Sequence, residues 1–168
     1  MGWNTAAGRT SVNAGRLQSL ESWAESLLND VSGPERLKLA RRIGIELRAR
    51  QRARIAAQTN PDGTPYEPRR KPPTDVSGRS KRGRIRRQAM FKKLRTPSLM
   101  KVRTTKDVIS IGFSGKDAHV ARIHQEGGYA EIFRGGPRVR YPVRELLGFS
   151  DADLEWLQGT LIEALLPR

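Results

Sequence analysis

VISIGFSGKDAHVARIHQEGG (residues 108–128) and YPVRELLGFS (residues 141–150) decide how this chain folds. Val108, Ile109, Ile111 and Phe113 are β-branched or aromatic and stand between Asp107 and Gly115, which marks a strand. From Ala118 to Gln125 the spacing turns helical: Val120, Ile123 and His124 share a face, and Gly127-Gly128 stops the helix. Leu99–Thr104 is a second strand, joined to the first through Thr105-Lys106-Asp107 as a hairpin. Arg138–Tyr141 is a third, short one, confined by Pro142 to a strand end or an edge. Ser150 caps a final helix with Asp153 in capping-box position, and Leu154, Leu157, Leu161, Ile162 and Leu165 form its apolar stripe.

Toward the N-terminus, Leu17, Leu20, Trp23, Leu27 and Leu28 recur at helical spacing and end near Asn29. Ser32-Gly33-Pro34 then opens the longest helix, Pro34 to Gln58, with Glu35 beside its positive end. Leu37, Ala40, Ile43, Gly44, Leu47, Ala53 and Ile55 approximate one apolar stripe, broken around Arg50 and Gln51. The other face carries Arg41, Arg42, Arg48, Arg50, Arg52 and Arg54, either solvated or held against an acidic neighbour. The fold class expected is α+β. A small, mostly antiparallel sheet of Leu99–Thr104, Val108–Phe113 and a further strand is packed by the long N-terminal helix and the C-terminal helix, with a long basic loop.

The 168 residues suffice for one domain: residues 1–16 read as a mobile segment, and residues 17–168 as a single domain with an extended basic excursion at 59–95. Hydrophobic residues make up 36% and mean hydropathy is −0.63, so much of the chain stays wet or finds a partner. Charge decides which partner. Twelve Lys or Arg and one acid, Asp75, fall between Arg69 and Arg95, so +11 of the net +15 sits there and +4 remains elsewhere. Asn60-Pro61-Asp62-Gly63 and Pro65, Pro68, Pro72 and Pro73 make Thr59 to Gly83 a long loop, against the usual ~4–6 residues. It is expected to be disordered alone and ordered by a partner. Ile85, Ala89, Met90 and Leu94 restore a short helical stripe that Pro97 ends. No apolar run approaches the roughly 20 residues of a membrane-spanning helix.

The chain has no cysteine, hence no disulfide framework and no thiolate chemistry. His119 and His124 are five apart, off the spacing that puts two imidazoles on one helix face, and only Asp117 and Glu126 flank them. They read as structural histidines, with no metal and no cofactor. The glycine pairs form no phosphate-binding loop, and Ser114 lacks a nucleophile elbow, so no enzyme is expected. Arg79, Lys81, Arg82, Arg84, Arg86 and Arg87 are the candidate contact residues, toward phosphate or toward acidic protein. Tyr66 and Phe91 are the aromatics near them, too few for single-strand readout.

Several pieces together resemble the phage virion morphogenesis, or tail completion, family of Mu-like and related tailed phages. They are the early helix pair, the turn from Asn60 to Tyr66, Met90-Phe91, Ile111-Gly112-Phe113, Ala121 to Gly127, and Tyr141 to Ser150, within roughly Leu17 to Leu166. The resemblance implies a structural virion protein of the tail or neck, present in the host cytoplasm during assembly. It implies self-association as a ring, with a hexamer expected, and contact with neighbouring neck or tail-tube proteins, with non-specific contact to genomic DNA open. The alternative is a basic nucleic-acid-binding accessory protein.

Overall fold

The computed structural model describes residues 10–28, 31–69, 89–115, 117–132 and 135–165. Among them are four helices, α1 (Thr10–Leu28), α2 (Gly33–Ala57), α3 (Ala118–Glu126) and α4 (Asp151–Leu165). The four strands are β1 (Met100–Thr104), β2 (Ile109–Phe113), β3 (Gly128–Glu131) and β4 (Arg138–Tyr141). The class is α+β, as expected.

α2 organises the packing. Pro34 occupies its first turn, and Ser32 Oγ donates to Glu35 Oε2 at 2.7 Å. The helix closes on Gln58 in the left-handed region (φ 62°), with Thr59 N–H returning to Arg54 O at 3.3 Å. Ala40, Ile43, Gly44, Leu47, Gln51 and Ile55 are its buried positions, so the stripe continues through Gln51 rather than breaking there. Ala53 is exposed instead. Gly44 sets how closely α2 meets the β1–β2 hairpin: a Cβ there would stand 2.7 Å from Val102 Cγ1.

β1 and β2 pair antiparallel from Met100↔Phe113 to Thr104↔Ile109, and Thr105 Oγ1 accepts from Val108 N at 2.9 Å in the turn. β4 does not join them. It pairs with β3, from Gly128↔Tyr141 to Glu131↔Arg138, as a second two-stranded sheet, so the expected single sheet with a third strand is two separate hairpins. The physical reason is locality. Gly127 (φ 71°) and Gly128 (φ 129°) reverse the chain straight out of α3, and closing the short 128–141 loop costs less entropy than reaching β1 across α3.

Two buried clusters hold these pieces together. Ile55, Tyr66, Met90, Leu94, Met100, Ala121 and Leu146 form one, backed by Phe91 and Phe113. Ile43, Leu47 and Leu161 form the other, with Leu20, Trp23, Phe149 and Leu157 against it. α1 begins at Thr10, ahead of the Leu17 where its apolar stripe starts. The short helix expected through Ala89, Met90 and Leu94 is a run of turns, because Phe91 sits at φ 63° and breaks helical progression. Ile85 lies outside the described residues.

Candidate interaction site at the roots of the basic arm

The segment 141–150 lacks strand partners beyond Tyr141, so its backbone groups need partners from elsewhere. α2, α3 and the 58–68 turn supply them. Arg144 N–H donates to His124 O at 2.6 Å, and Glu145 N–H to Asn60 Oδ1 at 2.9 Å. The Gln125 amide pairs both ways with Leu147, accepting from its N–H at 2.9 Å and donating to its carbonyl at 2.8 Å. Gly148 O accepts from Gln51 Nε2 at 2.6 Å and from Arg54 Nη2 at 3.0 Å. The bonds reach three different elements. The segment is a clasp.

At its centre Arg144 is only 3% exposed. Its Nε donates to Glu67 O (2.7 Å), its Nη2 to Pro68 O (3.1 Å), and its Nη1 to His124 Nδ1 (2.9 Å). A guanidinium only donates, so Nδ1 accepts and the ring proton sits on Nε2. His124 also meets Phe91 (4.8 Å between ring centroids) and Tyr141 (5.3 Å) edge-on, and Phe91 meets Tyr66 at 5.8 Å. Burial, then Arg144 and Arg69, push the His124 pKa down to about 4. The ring is thus a neutral structural acceptor. Burial likewise pushes the Tyr66 hydroxyl up to about 12, and that hydroxyl donates to Glu145 O at 3.3 Å.

The depressed His124 pKa has a pH signature. The folded value of about 4 lies below the ordinary 6.5, so between the two the unfolded chain binds more protons. This group leaves stability untouched above pH 6.5 and erodes it as pH falls toward 4. Urea midpoints measured across that window should fall less steeply for His124→Gln, which cannot ionise, than for wild type. Parallel slopes would show His124 titrating as freely in the folded chain as in the unfolded one.

The clasp holds the outgoing end of the basic excursion, and Gln58 at the close of α2 holds the returning one. Outgoing, Asn60 N bonds Thr64 O at 2.8 Å, Tyr66 N bonds Gln58 O at 2.7 Å, and Arg144 then holds Glu67 and Pro68. Residues 59–69 are therefore pinned, where the loop composition predicts mobility; the buried Tyr66 ring and the Asn60–Asp62 turn bonds outweigh it. Returning, Met90 N donates to Gln58 Oε1 at 2.6 Å while Gln58 Nε2 donates to Met90 O at 3.1 Å. Gln58 and Arg144 thus grip the two roots. Arg69, Lys92 and Lys93 are exposed on these roots and Arg95 is half-buried. Arg79, Lys81, Arg82, Arg84, Arg86 and Arg87 lie outside the described residues.

His119 is exposed on α3 while His124 points inward, so the two do not converge. Tyr129 is 65% exposed. Among the described residues no three His, Cys, Asp or Glu side chains gather as a metal site, and no helix is long and apolar enough to cross a membrane. The gripping residues Gln51, Gln58, Gln125 and Arg144 escaped the sequence reading. Gln51 alone carried a signal, a polar side chain in an apolar stripe.

The profile of the phage virion morphogenesis family matches residues 16–166, from α1 through the clasp to the end of α4. The chain belongs to this family. The tail completion protein S of Escherichia phage P2 is 35% identical over 140 residues, covering 83% of this chain and 90% of that protein. No solved structure matches. In this member of the family, the matched region holds both arm roots and the residues that grip them, Arg144 and Gln58.

Proposed function

We propose that the chain is a structural virion protein that completes the phage tail, acting at the neck where tail meets head. The similarity to a protein named for tail completion, over nearly its whole length, carries this reading. Copies assemble as a closed ring, taken as sixfold, since cyclic symmetry caps a tube economically. Neighbouring neck or tail-tube proteins are its partners, and the virion is its destination after assembly in the host cytoplasm. The role calls for rigid attachment and no chemistry, which the gripped arm roots suit.

Within this reading Arg79, Lys81, Arg82, Arg84, Arg86 and Arg87 contact an acidic neighbour or the DNA path. Replacing all six with Ser should leave the melting temperature within about 2 °C of wild type, as surface substitutions generally do. Infectious titre in a complementation assay should drop at least tenfold, and more at higher salt. A normal titre would remove the arm from the joining step. The dense charge between Arg69 and Arg95 also favours a second reading, a nucleic-acid-binding accessory protein. Steep loss of duplex DNA affinity with salt, together with normal tails in the six-residue variant, would favour that reading.

A further inference from the structure

Gly44 and Gly159 both sit inside helices, where glycine is the least favourable residue after proline. The subunit explains the first, because Val102 occupies the space a Gly44 side chain would need. It does not explain the second: a Cβ on Gly159 would meet nothing within 4 Å. Gly159 instead opens a groove between α2 and α4, with Ile45 and Trp156 as its apolar residues. Ile45 is 58% exposed, and the guanidinium of Arg50 covers one face of Trp156 at 4.5 Å.

The acids lining the groove are already engaged, Glu163 with Arg42 at 3.8 Å and Glu46 with Arg50 at 3.4 Å. Lys38, Arg41, Arg48 and Arg52 lie on the same side of α2 as Ile45, at helical spacing from it. None of these four makes an ion pair with another described residue. The surface therefore combines an apolar floor, a gap where backbone can approach closely, and unpaired positive charge.

We propose that this groove docks an acidic amphipathic helix from a neighbouring virion protein. Its backbone crosses at Gly159, its apolar side chains rest on Ile45 and Trp156, and its carboxylates meet Lys38, Arg41, Arg48 and Arg52. The inference rests on the reading that the chain works by assembling with other tail proteins. Phosphate recognition would have no use for the apolar floor or for the glycine. A second copy presenting the same α2 face would set Lys38, Arg41, Arg48 and Arg52 against their own equivalents.

The test compares Gly159→Ala and Gly159→Leu in the full chain. Gly159→Ala should raise the melting temperature by about 3 °C, because alanine favours helix and nothing in the subunit clashes with it. A fluorescent Glu/Leu peptide with leucines at helical spacing should bind wild type and lose at least tenfold in affinity to Gly159→Leu. The same loss should follow Arg41→Glu with Arg52→Glu, and a matched peptide with serines for leucines should not bind. Affinity for a duplex oligonucleotide should be the same in wild type and Gly159→Leu. Equal binding of the serine peptide, indifference to Gly159→Leu, or loss of self-association or DNA affinity in that variant would each overturn the proposal. In complementation, Gly159→Leu should lower the titre at least tenfold. If a gene disruption halts tail completion yet Gly159→Leu restores full titre, the groove fails and the functional reading stands. If the disruption leaves tails normal, the functional reading itself fails.

Discussion

Asp153→Ala is expected to lower the unfolding free energy by about 4 kcal/mol, within the range for stripping one partner from a buried ion pair. The Asp153 side chain is 5% exposed and that of Arg54 is 9% exposed, with Oδ2 and Nη1 at 3.2 Å. Arg50 Nη1 stands 3.6 Å from the other carboxylate oxygen. Burial already lowers the Arg54 pKa, and Asp153 is the largest influence opposing it. The same carboxylate accepts from Ser150 N at 3.0 Å and Ser150 Oγ at 2.8 Å, closing the capping box at the start of α4. Two losses therefore coincide. Asp153→Asn separates them, since it retains a cap acceptor worth about 1 kcal/mol while removing the charge. Urea unfolding followed by circular dichroism measures both variants. A loss near 1 kcal/mol for Asp153→Ala would mean the cap is the whole contribution.

Arg144→Leu is expected to cost about 3 kcal/mol, because Glu67 O, Pro68 O and His124 Nδ1 all lose a donor in a poorly solvated site. Arg144→Lys should recover little: an ammonium lacks the planar fork that reaches three acceptors at once. The effect also has a local address. The Tyr66 amide, bonded to Gln58 O at that root, should exchange faster with solvent once the guanidinium is gone, while β1 and β2 keep their protection. Since Arg144 is the second cause depressing the His124 pKa, the variant's histidine should titrate closer to 6.5. Unchanged exchange of the Tyr66 amide would show the root held by other contacts.

Much of the fold was legible in residue order alone, and the reason is that local signals there agree with one another. The β1–β2 hairpin follows from two short β-branched runs around Thr105-Lys106-Asp107, with no distant residue needed to pair them. α2 follows from its apolar spacing and from Pro34, and the α4 cap from Ser150 and Asp153 three residues apart. Where local signals conflict, the sequence misled. Ala89, Met90 and Leu94 carry helical spacing, but Phe91 is held in the left-handed region with its ring against Tyr66 and His124.

By itself, the sequence determined the α+β class, the hairpin, both long helices, the capping box and the concentration of +11 of the net +15 between Arg69 and Arg95. Those are properties of neighbours along the chain: periodicity, turn chemistry and charge density. Only the tertiary structure decided that β4 closes on β3, that Gln51 belongs in the core, and that Asp153 answers Arg54 as well as Ser150. It alone brought Arg144 to Glu67 and Gln58 to Met90, and so tied one root of the arm to the clasp and the other to the end of α2. These contacts join residues whose separation in sequence carries no signature. A buried polar side chain goes to whichever unsatisfied group the packing brings near, and that group exists only once the chain has folded.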